Sequence, residues 1–364
     1  MPAPTAALRS RAPSSATQAM MRTMARHMSA WLLLSLTLGC SAEKTEVLPK
    51  HYVWAGWNHS WSKLCHRVSF IRAIATAEGG LELGIRGGDW STGDTWADDT
   101  AYRMHLQEVS ASGLYVTHGE TMMTVGPDGI TTQEEEAEVQ GDAFAVVLRG
   151  FEIETDIEQD IDYPDYDPAL GYTSRGFGMS VGNTDRDGDT VAFDVTSQVR
   201  WGPRDRDDMN EAMLQANTGV RVAWTVIGYS GDLSTASATD GIDLLHDPPY
   251  SEQSGLSMPV DLPTAPGLIG IAGFDLQVRD QDGGDGGDYL RSFGVEAPLS
   301  DGSHAPEEIL AEVTTTSAVE LGEMHFSPTV DLLWLGIDNK ELSVDSHIRE
   351  GNHDVGTVEV PTKD

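Results

Sequence analysis

The residues Gly176–Val195 read GFGMSVGNTDRDGDTVAFDV and carry the clearest fold signal of the chain. Apolar residues alternate with polar ones on both sides of a segment rich in aspartate and glycine. Alternation with a period of two residues indicates a half-buried β-strand, and two such strands around a polar turn indicate a hairpin. With Val181 opposite Val191, the apolar side chains of both strands share one face, so the stretch predicts a buried β-hairpin.

A related stretch follows at Gly273–Val295, which reads GFDLQVRDQDGGDGGDYLRSFGV. Both stretches begin G-F-x-[ML]-x-V, continue into an Asp/Gly-rich segment and end in an apolar run, so we expect a second hairpin here. Two apolar runs upstream also end alike, at Gly150-Phe151 and Gly228-Tyr229. The repeated order of landmarks indicates an internal duplication, and two unrelated hairpins built from common strand residues are the alternative.

The rest of the chain favours a mainly β fold. It contains 38 glycines, a Gly126-Pro127-Asp128-Gly129 turn and many short apolar runs, which are typical of antiparallel sheets. We expect two antiparallel β-sandwich, jelly-roll-like domains near residues 49–235 and 236–364, with a short helix at Asp205–Asn217. The acids within Thr131–Asp142 fit a solvated strand.

The segment Met24–Ala42 reads MARHMSAWLLLSLTLGCSA. One arginine precedes a largely apolar run, Ala30–Gly39, which is too short to span a bilayer and suits an export signal. The run ends in Leu38-Gly39-Cys40, which resembles the lipoprotein signal of bacteria, although Thr37 departs from the usual residue at its position. The resemblance implies that Cys40 is acylated and becomes the mature N-terminus.

This resemblance sets the expected layout and location of the chain. Residues 1–39 would be the signal region, with Met24 as an alternative start, and residues 40–48 a lipidated tether. Ser41 resembles the residue found after the cysteine in lipoproteins sorted to the outer membrane. Ordinary cleavage near Ala42, which would give a periplasmic or secreted soluble protein, is the competing interpretation. We expect no membrane-spanning helix after the leader, because no later apolar run reaches 18 residues.

The net charge limits the classes of binding partner that we expect for this chain. With 58 acidic and 23 basic residues the chain carries −35, a field that repels nucleic acid and anionic lipid headgroups and attracts cations. We therefore expect no nucleic-acid partner, membrane contact through the N-terminal lipid only, and a glycan or protein partner in the envelope. Solubility alone is a sufficient competing reason for the charge.

Calcium is the one cofactor that the motifs suggest. Asn183, Asp185, Asp187, Gly188, Asp189 and Asp194 follow the order of a 12-residue calcium loop. The predicted hairpin would carry Asp194 away from the turn and so conflicts with the complete loop. The hairpin still allows a smaller candidate metal site formed by Asp185, Asp187 and Asp189. A glycine-rich segment supplies a second candidate site with Asp282, Asp285 and Asp288. Solvated acidic turns are the alternative at both places.

Aromatic residues are dense near the start of the mature chain. Exposed indoles beside acids suit the ring faces and hydroxyls of sugars, and burial in the core is the usual alternative. The candidate carbohydrate-binding residues are Trp54, Trp57, Trp61, Trp90 and Trp96.

Signals for catalysis are weak. Gly178–Gly182 matches G-x-S-x-G, but Ser180 falls within a predicted strand instead of a strand-to-helix turn. The histidines show no zinc spacing. The sequence therefore favours an exported, lipid-anchored envelope protein that binds or scaffolds and is not an enzyme. A secreted polysaccharide hydrolase with paired carboxylates and a purely structural envelope lipoprotein are the alternatives.

Overall fold

A computed structural model describes the following residues of the chain: 48–61, 68–87, 100–155, 172–203, 218–231, 233–241, 244–246, 250–253, 256–259, 267–280, 289–296, 308–318, 324–326, 329–337 and 341–353. Leu48–Asp364 forms one compact unit and Met1–Val47 a separate one. The leader, Cys40 and the tether before Leu48 lie outside the described residues.

The described chain consists of β-strands joined by turns. The strands are β1 His51–Trp61, β2 Val68–Ala75, β3 Leu81–Gly87, β4 Thr100–Ser110, β5 Leu114–Thr124, β6 Ile130–Glu138, β7 Ala143–Thr155, β8 Tyr172–Asp187, β9 Thr190–Pro203 and β10 Thr218–Tyr229. The remaining strands are β11 Leu233–Gly241, β12 Leu244–His246, β13 Tyr250–Gln253, β14 Leu256–Pro259, β15 Gly267–Asp280, β16 Tyr289–Glu296, β17 Glu308–Ala318, β18 Met324–Phe326, β19 Thr329–Ile337 and β20 Ser343–His353.

These strands form three antiparallel sheets. Sheet 1 has the order β13-β17-β16-β1-β4-β20 with β14 on β17, and sheet 2 has the order β3-β2-β7-β10-β5. Sheet 3 has the order β11-β19-β15-β8-β9-β6, with β18 joining β15 to β12. The mainly β, sandwich-like class predicted from the sequence is confirmed. The expected helix at 205–217 lies outside the described residues, and the described part contains no helix that could cross a membrane.

The hairpin at Gly176–Val195 is present as β8 and β9, but its register differs from the prediction. Val181 lies opposite Val195, where the sequence pattern suggested Val191. The strands continue to a tight turn between Asp187 and Thr190, and an irregularity between Gly182 and Asp185 takes up the extra residues. Asn183 has a φ of 49° there, a left-handed conformation that asparagine tolerates better than most residues.

The related stretch after Gly273 does not form a second hairpin. Its two strands, β15 and β16, belong to different sheets. Residues Gly273–Gln277 of β15 instead pair with Gly176–Ser180 of β8, with Phe274 opposite Met179 and Leu276 opposite Phe177. The two G-F motifs thus face each other across a local two-fold axis that passes between Gly178 and Asp275.

Strand pairing also crosses the domain boundary expected near residue 235. In sheet 1, β1 pairs with β16, and β4 pairs with β20. In sheet 3, β8 pairs with β15. Strands from both sides of the boundary are hydrogen-bonded neighbours, and Leu48–Asp364 forms one compact unit.

Four Gly-aromatic pairs meet in the centre of the core. Each follows a strand irregularity that displaces one residue from the ladder. The pairs are Gly56-Trp57, Gly150-Phe151, Gly176-Phe177 and Gly273-Phe274. Trp57 lies 5.1 Å from Phe151 and 5.2 Å from Phe274 between ring centroids, and Phe177 lies 5.5 Å from Phe151. Since these rings come from all three sheets, this cluster joins the sheets within the larger of two hydrophobic cores.

Candidate functional site

The tip of the β8–β9 hairpin carries the first candidate calcium site, and an arginine organises it. Asp185, Asp187 and Asp189 are exposed to solvent. Between them, Arg186 donates from Nε to the Gly188 carbonyl at 2.6 Å and from a terminal nitrogen to the Gly141 carbonyl at 2.5 Å. A calcium ion in such a loop would need backbone carbonyl oxygens of this kind. The guanidinium already binds one carbonyl of the loop, that of Gly188, and one from the neighbouring turn between β6 and β7.

Asp194 is closer to the loop oxygens than the sequence-based register placed it. It lies opposite Gly182, and its Oδ2 accepts a hydrogen bond from the Asn183 side-chain amide at 2.8 Å. Asp194 nevertheless lies four residues along β9 from Thr190, where the turn ends, so its carboxylate is away from the tip of the hairpin. Its carboxylate is bonded to the side chain that would be the first residue of a calcium loop.

A larger acidic surface extends from this tip over the outer face of sheet 3. Residues that lie directly opposite in a ladder point to the same face of the sheet. Glu134 lies opposite Asp194, and Asp185 and Asp187 lie opposite Ala192 and Thr190. The acidic face is thus defined by six carboxylates on three adjacent strands: Glu134, Glu136, Glu138, Asp185, Asp187 and Asp194.

No described basic side chain forms an ion pair with these six carboxylates. Arg186, the closest arginine in sequence, pairs instead with Asp189 at 3.9 Å and packs over the ring of Phe144. Val191, Phe193 and Val195, which flank Ala192 and Asp194 along β9, are buried in the core. The apolar side chains of β9 thus point into the core, and the six carboxylates of the acidic face lie on the opposite side of the sheet.

The outer face of sheet 2 provides a contrast, because three of its glutamates are paired with arginines. Arg221 lies 2.8 Å from Glu152, 3.1 Å from Glu120 and 3.1 Å from Glu82. Arg72 pairs with Glu152, and Arg149 lies 3.0 Å from Glu120. Burial opposes the charged form of Arg221, but the three glutamates outweigh it and raise the pKa of the guanidinium. Three arginines and three glutamates thus balance, and this network is structural.

A third polar cluster surrounds Glu108 on sheet 1. Its carboxylate accepts a hydrogen bond from the Tyr52 hydroxyl at 3.0 Å, pairs with Lys50 and lies 3.5 Å from His347 Nε2. The hydrogen bond from Lys50 lowers the pKa of Glu108, and that from Tyr52 adds to the effect. A glycosidase general acid needs a raised pKa. Glu108 is therefore poorly suited to that role, and its contacts instead fasten the start of β1 to β20.

The aromatic candidates divide into two groups. The side chains of Trp54 and Trp57 are fully buried, with 0% exposure. An indole without an exposed face cannot stack on a sugar, so the proposed carbohydrate role of these two residues is corrected to a core role. The side chains of Trp61, Trp90 and Trp96 lie outside what the structure describes, and their sugar-binding role stays a prediction.

The G-x-S-x-G match has a structural explanation. Ser180 lies within β8, with strand on both sides of it. A Cβ on Gly178 would lie 2.9 Å from Asp275 Oδ1. The missing side chain lets Arg200 reach across β8 to Asp275, with two contacts of 2.9 and 3.2 Å. Gly178 therefore permits an ion pair between β9 and β15.

The other candidate residues cannot be placed. Cys40 and the second carboxylate set, Asp282, Asp285 and Asp288, lie outside the described residues. Within the described part, no group of three or more His, Cys, Asp or Glu side chains is close enough to hold a metal ion. The carboxylates of the acidic face are therefore spread over the sheet and are not gathered around one point.

Sequence reasoning did not assign the three glutamates of β6 to a site. They alternate within ITTQEEEAE, a period of two that places Glu134, Glu136 and Glu138 on one face. The signal was present, but it acquires meaning only when β6 is known to pair with β9.

No protein-family model matches the chain, and no significant similarity was found to a curated protein or to a solved structure.

Proposed function

We propose that the chain is an exported, lipid-anchored protein of the bacterial cell envelope that acts as a binding or scaffolding module, not as an enzyme. The leader and Cys40 support export and anchoring through their resemblance to a lipoprotein signal. The acidic face of sheet 3 supports binding. We assign its ligands to the cations, with calcium as the leading one and a basic protein surface as a larger partner.

The observation that supports the binding role is that glutamates on sheet 2 form ion pairs with arginines, whereas the carboxylates of the acidic face on sheet 3 do not. On sheet 2, Glu82, Glu120 and Glu152 are each paired with arginine. On sheet 3, the six carboxylates of the acidic face have no described basic partner. Like charges on neighbouring strands destabilise a sheet, so any cation that accumulates on this face stabilises the folded chain.

Because the carboxylates are spread out, we expect weak binding shared by several ions instead of one saturable high-affinity site. Calcium and magnesium should both raise the melting temperature of the purified chain, and sodium chloride at equal ionic strength should raise it less. If the relief of repulsion contributes about 1 kcal/mol, the melting temperature rises by about 2–4 °C.

A pair of triple variants separates this face from general charge. Glu134→Gln, Glu136→Gln and Glu138→Gln together should raise the melting temperature without calcium and shrink the calcium effect. Glu78→Gln, Asp142→Asn and Glu350→Gln remove the same charge from exposed acids elsewhere and should leave the calcium effect in place. Equal responses of both variants would show that the acidic face has no special role.

Anchoring is tested separately by metabolic labelling with an alkyne fatty acid and by membrane fractionation. The wild-type chain should carry the label and sediment with the outer membrane, and Cys40→Ala should lose the label. An unlabelled, soluble wild-type chain would support the alternative of a plain secreted protein.

A further inference from the structure

The last described strand, β20, forms one end of sheet 1, and among the described strands it pairs only with β4. An edge of this length presents unpaired backbone donors and acceptors, and proteins normally guard such edges against added strands. The guard is absent from β20 in a specific way. Its middle reads Asp345-Ser346-His347-Ile348-Arg349, which has no proline and one charge of each sign, and Ile348 is 52% exposed.

We propose that β20 pairs antiparallel with the β20 of a second copy of this chain, with His347 opposite its own counterpart and Asp345 opposite Arg349. The partner is thus a second copy, joined through a continuous sheet that contains sheet 1 of both molecules. A two-fold axis through the His347 pair relates the copies, and each dimer contains the Asp345–Arg349 contact twice.

Backbone geometry limits the registers that this pairing can adopt. Successive residues of a strand point their N–H and C=O groups alternately to the two sides, and directly opposite residues must both point inward or both outward. In a pair of identical edges, a residue can therefore lie opposite itself or opposite a residue an even number of positions away. Registers that place Arg349 opposite Glu350 are excluded by this rule.

Charge selects among the registers that remain. A centre at Asp345 or at Arg349 places like charges opposite each other, and a centre at Ile348 places His347 opposite Arg349. A centre at Ser346 places Asp345 opposite His347, which is attractive only when the histidine is protonated. The register centred on His347 places Asp345 opposite Arg349, two groups of opposite charge near neutral pH, and such cross-strand pairs stabilise a sheet.

Both charges are available for this contact in the single chain. Asp345 and Arg349 are exposed, and neither forms an ion pair with another described residue. They lie four positions apart on one strand, about 13 Å, so they cannot pair with each other within one copy. The second copy supplies the partner that each of them lacks.

Two other edges of the described sheets show what a guarded edge looks like. On β6, at the end of sheet 3, every self-pairing register centred on a residue from 134 to 138 places glutamates opposite one another, because acids occupy Glu134, Glu135, Glu136 and Glu138. On β3, at the end of sheet 2, Glu82 is already engaged by Arg221. Unlike β6, β20 offers a register in which its exposed charges lie opposite charges of the other sign.

The test is sedimentation equilibrium of the purified full chain in detergent, with a charge swap. The wild type should dimerise. Asp345→Arg and Arg349→Asp should each weaken the dimer at least tenfold, because each turns two attractive contacts into repulsive ones. The double variant carrying both changes should restore the wild-type dimer, and Asp142→Arg, the same charge change at an exposed turn, should leave it unaltered.

Thiol crosslinking fixes the register. In a Cys65→Ser background, His347→Cys should form an intermolecular disulfide faster than Ser346→Cys, since only the residue on the axis meets its own copy. The proposal is overturned if the wild-type chain stays monomeric at about 100 μM. It is also overturned if natively folded single variants dimerise as well as wild type, or if a natively folded double variant stays monomeric. Faster crosslinking at Ser346 than at His347 would overturn it as well.

Discussion

The sharpest stability prediction concerns Gly150, the glycine of a bulge in β7. Its φ is 142°, a conformation that residues with a Cβ rarely adopt. A Cβ built there would lie 2.5 Å from the Cα of Ile74 and closer still to the carbonyl oxygen of Ala73, both backbone atoms of β2. No side-chain rotation can relieve contacts with backbone. Gly150→Ala must therefore push β2 away from β7 or change the bulge that directs Phe151 into the core.

The cost of Gly150→Ala combines two contributions of known size. Forcing a residue with a Cβ into a conformation reserved for glycine costs about 1–3 kcal/mol. Overpacking against neighbours that cannot move away costs about another 1–3 kcal/mol. We expect a loss of about 2–6 kcal/mol, which is a large share of the roughly 5–15 kcal/mol that stabilises a typical domain.

Two other glycines separate these contributions. A Cβ on Gly182 meets nothing within 4 Å, and the φ of Gly182 is not positive. Gly182→Ala should therefore be neutral or stabilise the chain by about 0.4–1 kcal/mol through the unfolded state. Gly188 has a φ of 64° and equally open space, so Gly188→Ala should cost about 1–2 kcal/mol. Urea unfolding followed by tryptophan fluorescence measures all three. A Gly150→Ala cost no larger than that of Gly188→Ala would refute the packing argument.

Three further predictions concern buried and partly buried polar groups. The Gln107 amide donates to the Ile269 carbonyl at 2.5 Å and accepts from the Ile269 N–H at 3.0 Å. Gln107→Leu should therefore destabilise the chain by about 1–3 kcal/mol for each backbone group left unpaired. A urea unfolding curve that matches wild type would contradict this. Burial and Arg149 lower the pKa of His118 to about 4, and burial and Arg103 do the same for His105. Between these pH values the unfolded chain binds more protons than the folded one, so the stability contributed by the neutral histidines is complete above about pH 6.5 and falls as the pH drops towards 4. His118→Asn should make unfolding less dependent on pH in this range. An unchanged pH dependence would assign it to other groups. Asp275→Asn should weaken the contact with Arg200 and cost up to about 1 kcal/mol, less in high salt, since the pair is part-exposed; a salt-independent cost would show that charge is not the cause.

Local periodicity was sufficient to identify the strands but not their partners. The alternation in Gly176–Val195 predicts a hairpin because its two strands are adjacent in the chain. The same alternation after Gly273 gave the wrong partner, since β15 pairs with β8 across almost a hundred residues. Nothing in a local pattern distinguishes a neighbour in sequence from a distant strand with the same period. The irregularity near Asn183 also shifted the register, because an extra residue is invisible to a period of two.

The Gly-aromatic pairs show a signal that was readable in part. The sequence indicated that Gly150-Phe151, Gly176-Phe177 and Gly273-Phe274 were landmarks, but it gave them no role and left Gly56-Trp57 among possible sugar-binding aromatics. In the structure, all four share one mechanism. A displaced residue turns the strand, glycine takes the conformation or close contact that results, and the next ring enters the core. The resemblance of Gly150-Phe151, Gly176-Phe177 and Gly273-Phe274 is therefore equally explained by one packing solution, which Gly56-Trp57 also uses.

The distribution of charge at the sheet edges bears on how the chain can assemble. Glutamates on β6 oppose the addition of any acidic or identical strand to sheet 3, so growth at that end is blocked. The residues of β20 allow one partner, and a two-fold pairing uses both copies of that edge at once. Association of this kind closes at a dimer and cannot extend into a fibre through the same edge. It also leaves the acidic face of sheet 3 exposed in both copies, so a dimer would present two such faces to cations or to a basic partner.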